Sequence, residues 1–276
     1  MSKQTIFHRG RLAVRRCLPF LKRPRHWYDM VADPAEQYYL EQYWHWMAGF
    51  APQSGSYFDL GCGYGRVALR LAEWCSPNGA VLGIDNDSPK IEQARRYAAD
   101  RKLTNLKFET AEILPFLRAC PKDSYDGALF LEVSFFFPEF AAAISEIQRV
   151  LKPGGVLFAS FRPQYFNILF CLRHGFWEDA EKVLRDRQGN LWGGETCMTW
   201  QTSSEIRDLL ARHGVEVLKL IGIGCCSGTL GDPLFDVANP KELSSLERRR
   251  LLDVEIGLAE SLPDAGRYIL AIGKKT

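Results

Sequence analysis

Asp59-Leu60-Gly61-Cys62-Gly63-Tyr64-Gly65 sets three glycines at alternate positions, with an acid two residues before the first. Glycine lets a backbone turn sharply and approach a ligand closely. A helix that follows such a turn offers its first N–H groups to a carboxylate or a phosphate. The turn alone does not choose between a nucleotide phosphate and an amino-acid carboxylate. Spacing narrows the choice. A dinucleotide site uses G-x-G-x-x-G, and here the third glycine arrives one residue early, with Arg66 behind it. No Gly-Lys-Ser/Thr ending marks a Walker loop. The anion at Asp59 suits an ammonium group and opposes a diphosphate. Two more acids, Asp85 and Glu112, stand at or just beyond the ends of the next two apolar runs.

Those acids need strands to carry them. Ser56–Leu60, Ala80–Asp85, Leu106–Thr110 and residues 125–131 and 156–161 read as short apolar strands. Val215–Ile223 and residues 268–272 supply two more. Helices fill the gaps: 66 to about 74, a segment from 89 capped by Ser88 with Pro89 at its first position, and about 138 to 151. Another is capped by Ser203 or Ser204 and stopped at His213-Gly214. Lys152-Pro153-Gly154-Gly155 reads as a turn. Near-continuous apolar strands separated by helices imply a mainly parallel sheet covered on both faces. Ligands of such sheets sit at the carboxyl ends of the strands, where the glycine turn falls.

This ordered set resembles the class I S-adenosylmethionine (SAM)-dependent methyltransferases of the small-molecule type. D-x-G-x-G-x-G after a strand is similar to their first motif, and the likeness spans roughly residues 55–160. It implies an α/β fold, a three-layer Rossmann-like sandwich with a seven-stranded sheet, and SAM as the cofactor. By the same resemblance Asp85 would hold both ribose hydroxyls. Asn86 would line the adenine pocket, and Glu112 would accept from the adenine amino group. Asp59, Gly61, Cys62, Gly63, Gly65, Ala111, Ile113, Leu131 and Phe136 complete the expected cofactor contacts. Many members carry a histidine four residues after the acid that ends the fourth strand. Here Glu132 is followed at that distance by Phe136, which can attract a sulfonium through its ring face but cannot act as a base.

Methyl transfer from a sulfonium mainly needs alignment and exclusion of water. An acceptor of high pKa also needs a base, and His45, His174, Tyr39, Tyr43 and Glu132 are the candidates. His213 sits at a helix end and reads as structural. No (D/N)-P-P-(Y/F) follows the fourth strand and no Pro-Cys pair occurs, so DNA is not expected as a substrate. The expectation is a small, hydrophobic or aromatic acceptor, methylated on O, N, C or S. Alternatives are an RNA or protein methyltransferase and a non-catalytic SAM-fold binding protein. The aromatic run Tyr38, Tyr39, Tyr43, Trp44, Trp46 and Phe50 reads either as a helix packed on the core or as a lid over an apolar pocket. Phe166, Phe170, Phe176, Trp177 and Trp192 could face it.

The chain has 276 residues, and 46% of them are hydrophobic. One α/β domain with insertions fits that size: residues 51–276 as the methyltransferase domain, interrupted at about 162–201 and 224–266, behind an N-terminal segment 1–50. Residues 1–28 hold eight basic groups and no acid. Taking those eight from 35 leaves 27 basic against 33 acidic groups, a mildly acidic body at −6 and no dedicated nucleic-acid surface. The basic segment, interleaved with apolar residues, is a candidate for peripheral membrane contact, for a transit peptide or for a docked extension. Eight scattered cysteines without C-x-x-C suggest reduced thiols in a cytoplasmic protein. An arsenic-binding role for Cys171, Cys197, Cys225 and Cys226 is the remote alternative, and no metal is expected. Oligomeric state is not legible in the sequence.

Overall fold

The structure, a computed structural model, describes residues 30–276; the expectations for residues 1–28 lie outside them. Five apolar segments pair in parallel: β1 (Ser56–Leu60), β2 (Ala80–Asp85), β3 (Leu106–Thr110), β4 (Tyr125–Phe130) and β5 (Leu151–Phe161). β9 (Tyr268–Lys275) runs antiparallel between β5 and β8 (Val215–Ile223), so the sheet order is β3-β2-β1-β4-β5-β9-β8. The chain moves outward from β1 in one direction and restarts with β4 on its other side. A crevice opens at the carboxyl ends of β1 and β4 at this reversal.

Alternation of side chains sorts each strand between two cores. Phe58, Leu60, Ala128 and Phe130 face α4 (Ile113–Ala119), α5 (Phe140–Val150) and α8 (Ser203–Arg212). Tyr57, Leu129 and Phe158 face the other way, toward α1 (Pro34–Met47), α2 (Arg66–Cys75) and α3 (Ser88–Asp100). Asp59 shares the parity of Tyr57 and therefore lies on the α2 side.

Several boundaries differ from expectation. The cap of α3 is Asp87, whose carboxylate accepts from Lys90 N–H, and Ser88 is the first helical residue. Thr202 caps α8 in a reciprocal capping box with Glu205, so neither Ser203 nor Ser204 is the cap. β5 starts at Leu151, five residues early, because Leu151 already pairs with Tyr125 ahead of a register shift. α4 was unforeseen; Pro115 falls in its first turn, where its missing N–H costs nothing.

The first insertion folds as α6 (Gln164–Arg173), α7 (Trp177–Arg185) and a small hairpin of β6 (Gln188–Asn190) and β7 (Cys197–Thr199). The second contains α9 (Ser245–Ala259), which packs against α1. Between them Glu255, 1% exposed, accepts from Tyr38, Gln42 and Ser227 side chains and the Cys226 N–H. α1 begins at an Asp33 cap and buries Tyr38, Tyr39, Tyr43, Trp44 and Met47. It is a packed wall of the core. Among the described residues no helix is long and apolar enough to cross a membrane.

Candidate active site

β1 delivers Asp59 and then breaks into the glycine bend. Gly61, Gly63 and Gly65 all have positive φ, at 68°, 54° and 80°. The outer two are sterically locked as well. A Cβ on Gly61 would meet Val133 Cγ2 at 2.6 Å, and one on Gly65 would meet Phe108 Cζ at 2.6 Å. Gly63 is different: a Cβ there would find only Lys90 Cδ at 4.0 Å. The middle of the bend therefore faces open space, as a backbone that cradles a ligand must.

Around that space stand the acids. Asp85 Oδ2 accepts from Gly63 N–H at 2.9 Å, and its Oδ1 accepts from Asp87 N–H at 2.9 Å. The end of β2 is thereby tied to the bend. Asn86 and Glu112 meet at 3.2 Å, Nδ2 to Oε1, and both are exposed. Ala111 N–H donates to the Asp85 carbonyl at 3.0 Å, which sets the start of the Glu112 turn against β2. Ile113 is half-buried beside them, Leu131 lies in the core after β4, and Phe136 is 55% exposed on the turn that follows. Cys62 is half-buried in the bend, and burial next to Asp59 and Asp85 pushes its thiol pKa up.

Asp59 is 3% exposed. Burial pushes its pKa up to about 7, with Asp85 adding to the rise. The Arg66 charge and a hydrogen bond from the Ala68 N–H pull the other way.

Arg66 was passed over in the sequence as the residue that spoils a dinucleotide motif. In the structure it is 7% exposed. It donates from Nη1 to the Glu36 carbonyl at 2.7 Å, pairs with the Glu36 carboxylate at 3.3 Å, and meets Glu132 Oε1 from Nη2 at 2.7 Å. One guanidinium thus joins α1, the start of α2 and the end of β4. Glu132 has φ 60°, and its N–H donates to Ser160 Oγ at 2.6 Å.

Three of the five suggested bases, Glu132, Tyr39 and His174, have polar partners, whereas the buried Tyr43 hydroxyl has none and His45 is exposed. Glu132 is held in the Arg66 ion pair. Burial raises the phenol pKa of Tyr39 and of Tyr43. Tyr39 also receives a hydrogen bond from Ser227. His174 Nε2 contacts the Gly231 carbonyl at 2.8 Å. His45 is exposed, stacks edge-on against Trp46, and lines an outer cleft with Arg70 and Glu73. Tyr39 and Tyr43 come together around Tyr268 and Arg267: the Tyr43 and Tyr268 ring centroids are 6.5 Å apart, and the Arg267 guanidinium lies 5.0 Å from the Tyr39 ring and 5.5 Å from the Tyr268 ring. His45 is not part of that group. Among the described residues no cluster of three His, Cys, Asp or Glu is placed to hold a metal; Cys171 Sγ instead accepts from Trp192 Nε1 at 3.3 Å.

A family model described as a methyltransferase domain matches residues 53–203, more than half of the chain. This chain belongs to the class I SAM-dependent methyltransferase family. It is 34% identical over 106 residues to a sterol 24-C-methyltransferase of Pneumocystis carinii, covering 37% of this chain and 26% of that one. It is 33% identical over 138 residues to a fatty-acid O-methyltransferase of Mycolicibacterium smegmatis, covering 49% and 47%. The chain thus spans from a quarter to a half of the length of these relatives. In fold it is similar to the PH0226 protein of Pyrococcus horikoshii, with TM-score 0.57 and 15% identity over 89% of this chain and 93% of that one. The methyl donor of that family is SAM. The bend, the open space at Gly63 and the neighbouring acids fit an adenosyl sulfonium carrying an amino-acid tail.

Proposed function

We propose that this methyltransferase moves the methyl group of SAM to a small, largely apolar organic acceptor. The observation that carries the cofactor half is the convergence of Asp59, the open middle of the glycine bend, Asp85 and the Asn86–Glu112 pair at three successive strand ends. In this reading Asp59 faces the ammonium end, Asp85 the ribose and Glu112 with Asn86 the adenine. Phe136 lies toward the sulfonium, and Cys62, Ala111, Ile113 and Leu131 complete the walls. SAM supplies a methyl group on a leaving group that is already good. The chain's part is to align the acceptor and keep water out.

The acceptor half rests on the wall built by α1, the turn after β4 and the first insertion. Aromatic packing is dense there: Phe135 stacks on Tyr268 with centroids 5.7 Å apart, and Phe166, Phe170 and Trp192 form a cluster of their own. The matched relatives named for sterol and fatty-acid methylation support an apolar acceptor. Glu132, Tyr39 and His174 are engaged with protein partners, which favours an acceptor atom that is nucleophilic without deprotonation.

Isothermal titration with SAM and S-adenosylhomocysteine tests the cofactor half. One site per chain is expected, lost in Asp85→Ala. A chain that binds neither compound refutes the reading. Transfer of labelled methyl to extracted apolar metabolites tests the acceptor half; label found only in macromolecules would overturn it.

A further inference from the structure

Arg162 closes β5 at the same strand edge as the cofactor acids, yet nothing above uses it. It is 8% exposed. Three rings surround its guanidinium: Phe135 at 4.6 Å, Phe166 at 4.6 Å and Tyr268 at 4.4 Å. Nη1 donates to the Arg267 carbonyl at 3.1 Å, and Nη2 reaches the Tyr268 hydroxyl only at 3.5 Å. Nε has no partner. No carboxylate of a described residue comes within the 4.0 Å of an ion pair. Two other arginines, the buried Arg66 and the half-buried Arg267, do have carboxylates, although Arg267 Nε likewise makes no hydrogen bond. Arg66 has Glu36 and Glu132, and Arg267 faces Asp232 at 3.4 Å.

The surroundings share this incompleteness. Asn167, on the first turn of α6 next to Phe166, is fully buried, and neither its amide nitrogen nor its oxygen is partnered. Gln201 donates its backbone N–H to the Arg162 carbonyl at 3.0 Å and leaves Oε1 unpartnered. A buried guanidinium held only for packing is normally matched by a carboxylate. A buried amide with no partner is costlier than a leucine of similar volume. Arg162 Nε and the Asn167 amide nitrogen are unpartnered donors, and the Asn167 and Gln201 amide oxygens are unpartnered acceptors; buried atoms of this kind on residues flanking a cation that lacks a carboxylate describe half of a recognition site. Phe136, on the open side of the turn after β4, contacts Phe135 with centroids 4.4 Å apart, and Phe135 carries the Arg162 head. The cationic group is therefore one ring removed from the crevice.

Resting on the methyltransferase reading above, we propose that Arg162, with the Asn167 amide nitrogen as a second donor, recognises a carboxylate carried by the acceptor. The substrate class is then an amphipathic organic acid, with its apolar body along the aromatic wall. A planar carboxylate matches the guanidinium fork and leaves an oxygen for the Asn167 amide. A phosphate dianion would be under-neutralised by one arginine among aromatic rings. On binding, an aromatic face gives way to a charge-assisted pair, which is stronger in this water-poor setting.

The test is calorimetric titration of the full chain saturated with S-adenosylhomocysteine. Decanoate, 4-phenylbutyrate and indole-3-acetate are each compared with their primary amides. At least one acid is expected to bind tenfold or more tightly than its amide. Arg162→Met should erase that preference and leave S-adenosylhomocysteine affinity unchanged. Asn167→Leu guards against a variant that fails to fold. It should raise the melting temperature, by removing an unsatisfied amide, and weaken the acid about fivefold; a purely structural Asn167 would raise stability and leave the acid untouched. Failure of the wild type to bind S-adenosylhomocysteine would strike the methyltransferase reading itself. Binding of that compound without acid-over-amide preference, or a preference that survives Arg162→Met, would overturn the carboxylate site alone.

Discussion

Replacing Asp59 with asparagine separates the charge of this buried carboxyl from its shape. In the folded protein its pKa lies at about 7, against roughly 3.9 for an unfolded chain. The folded state keeps a proton that the unfolded state has already lost. Stability from this group therefore falls as pH rises from about 4 to about 7 and is flat above, with a total cost of roughly 4 kcal/mol. A ligand ammonium that needs the ionised carboxyl reverses the preference. Between pH 5 and 7 the ionised fraction rises from about 1% to about half, so the affinity for SAM should rise roughly fifty-fold, about 2 kcal/mol. An α-amino group stays protonated across that window. Calorimetry at pH 6 in two buffers of different ionisation enthalpy should show about one proton released per SAM bound. Asp59→Asn should bind more weakly at pH 7, lose the pH slope and release no proton. Its melting temperature should fall less than that of the wild type between pH 5 and 7.5. A wild-type affinity constant within twofold across the window, or an asparagine variant with the same slope, would refute the role given to Asp59.

The bend can be dissected by alanine. At Gly65 a Cβ collides with Phe108 at positive φ, so Gly65→Ala should lose about 2–5 kcal/mol in urea unfolding. At Gly63 the same change meets open space. It should cost only about 1–2 kcal/mol while weakening S-adenosylhomocysteine at least tenfold. Arg66→Met strands Glu36 and Glu132 as buried acids, and a loss of about 3–5 kcal/mol is expected by denaturant titration. Ser244→Ala removes the capping box of α9, far from the bend. It should cost about 1 kcal/mol and leave cofactor affinity as it was.

What the sequence reveals depends on how local the cause is. β1 and β2 were legible to the residue because an apolar run ends in an acid and a glycine or helix cap follows at once. The capping residues were missed by one position. Asp87 and Ser88, or Thr202 and Ser203, offer equivalent oxygens, and tertiary placement selects between them. The aromatic run of α1 was legible as helical but not as to its role. Its burial depends on β8 and α9, whose contacts lie about two hundred residues away. Arg66 and Arg162 were invisible as functional groups for the same reason. Glu36, Arg66 and Glu132 are separated by 30 and 66 residues, and no periodicity announces a three-way ion pair. Arg162 did leave one signal: a charge placed directly at the carboxyl end of a buried strand, where Asp59 and Asp85 also stand.

The buried charges of this enzyme are divided by position. Acids gather at the ends of β1 and β2, facing the open bend; arginines stand at the start of α2, after β5 and just before β9. Arg66 belongs to both groups. It favours the ionised form of Asp59 on one side and is spent on Glu132 and Glu36 on the other. That pairing neutralises the carboxylate nearest the acceptor wall and fastens the wall to the bend. A reaction whose leaving group is already good gains little from a proton carrier and much from fixed spacing between donor and acceptor. A buried ion pair that braces α1, the start of α2 and the end of β4 against one another supplies such fixed spacing.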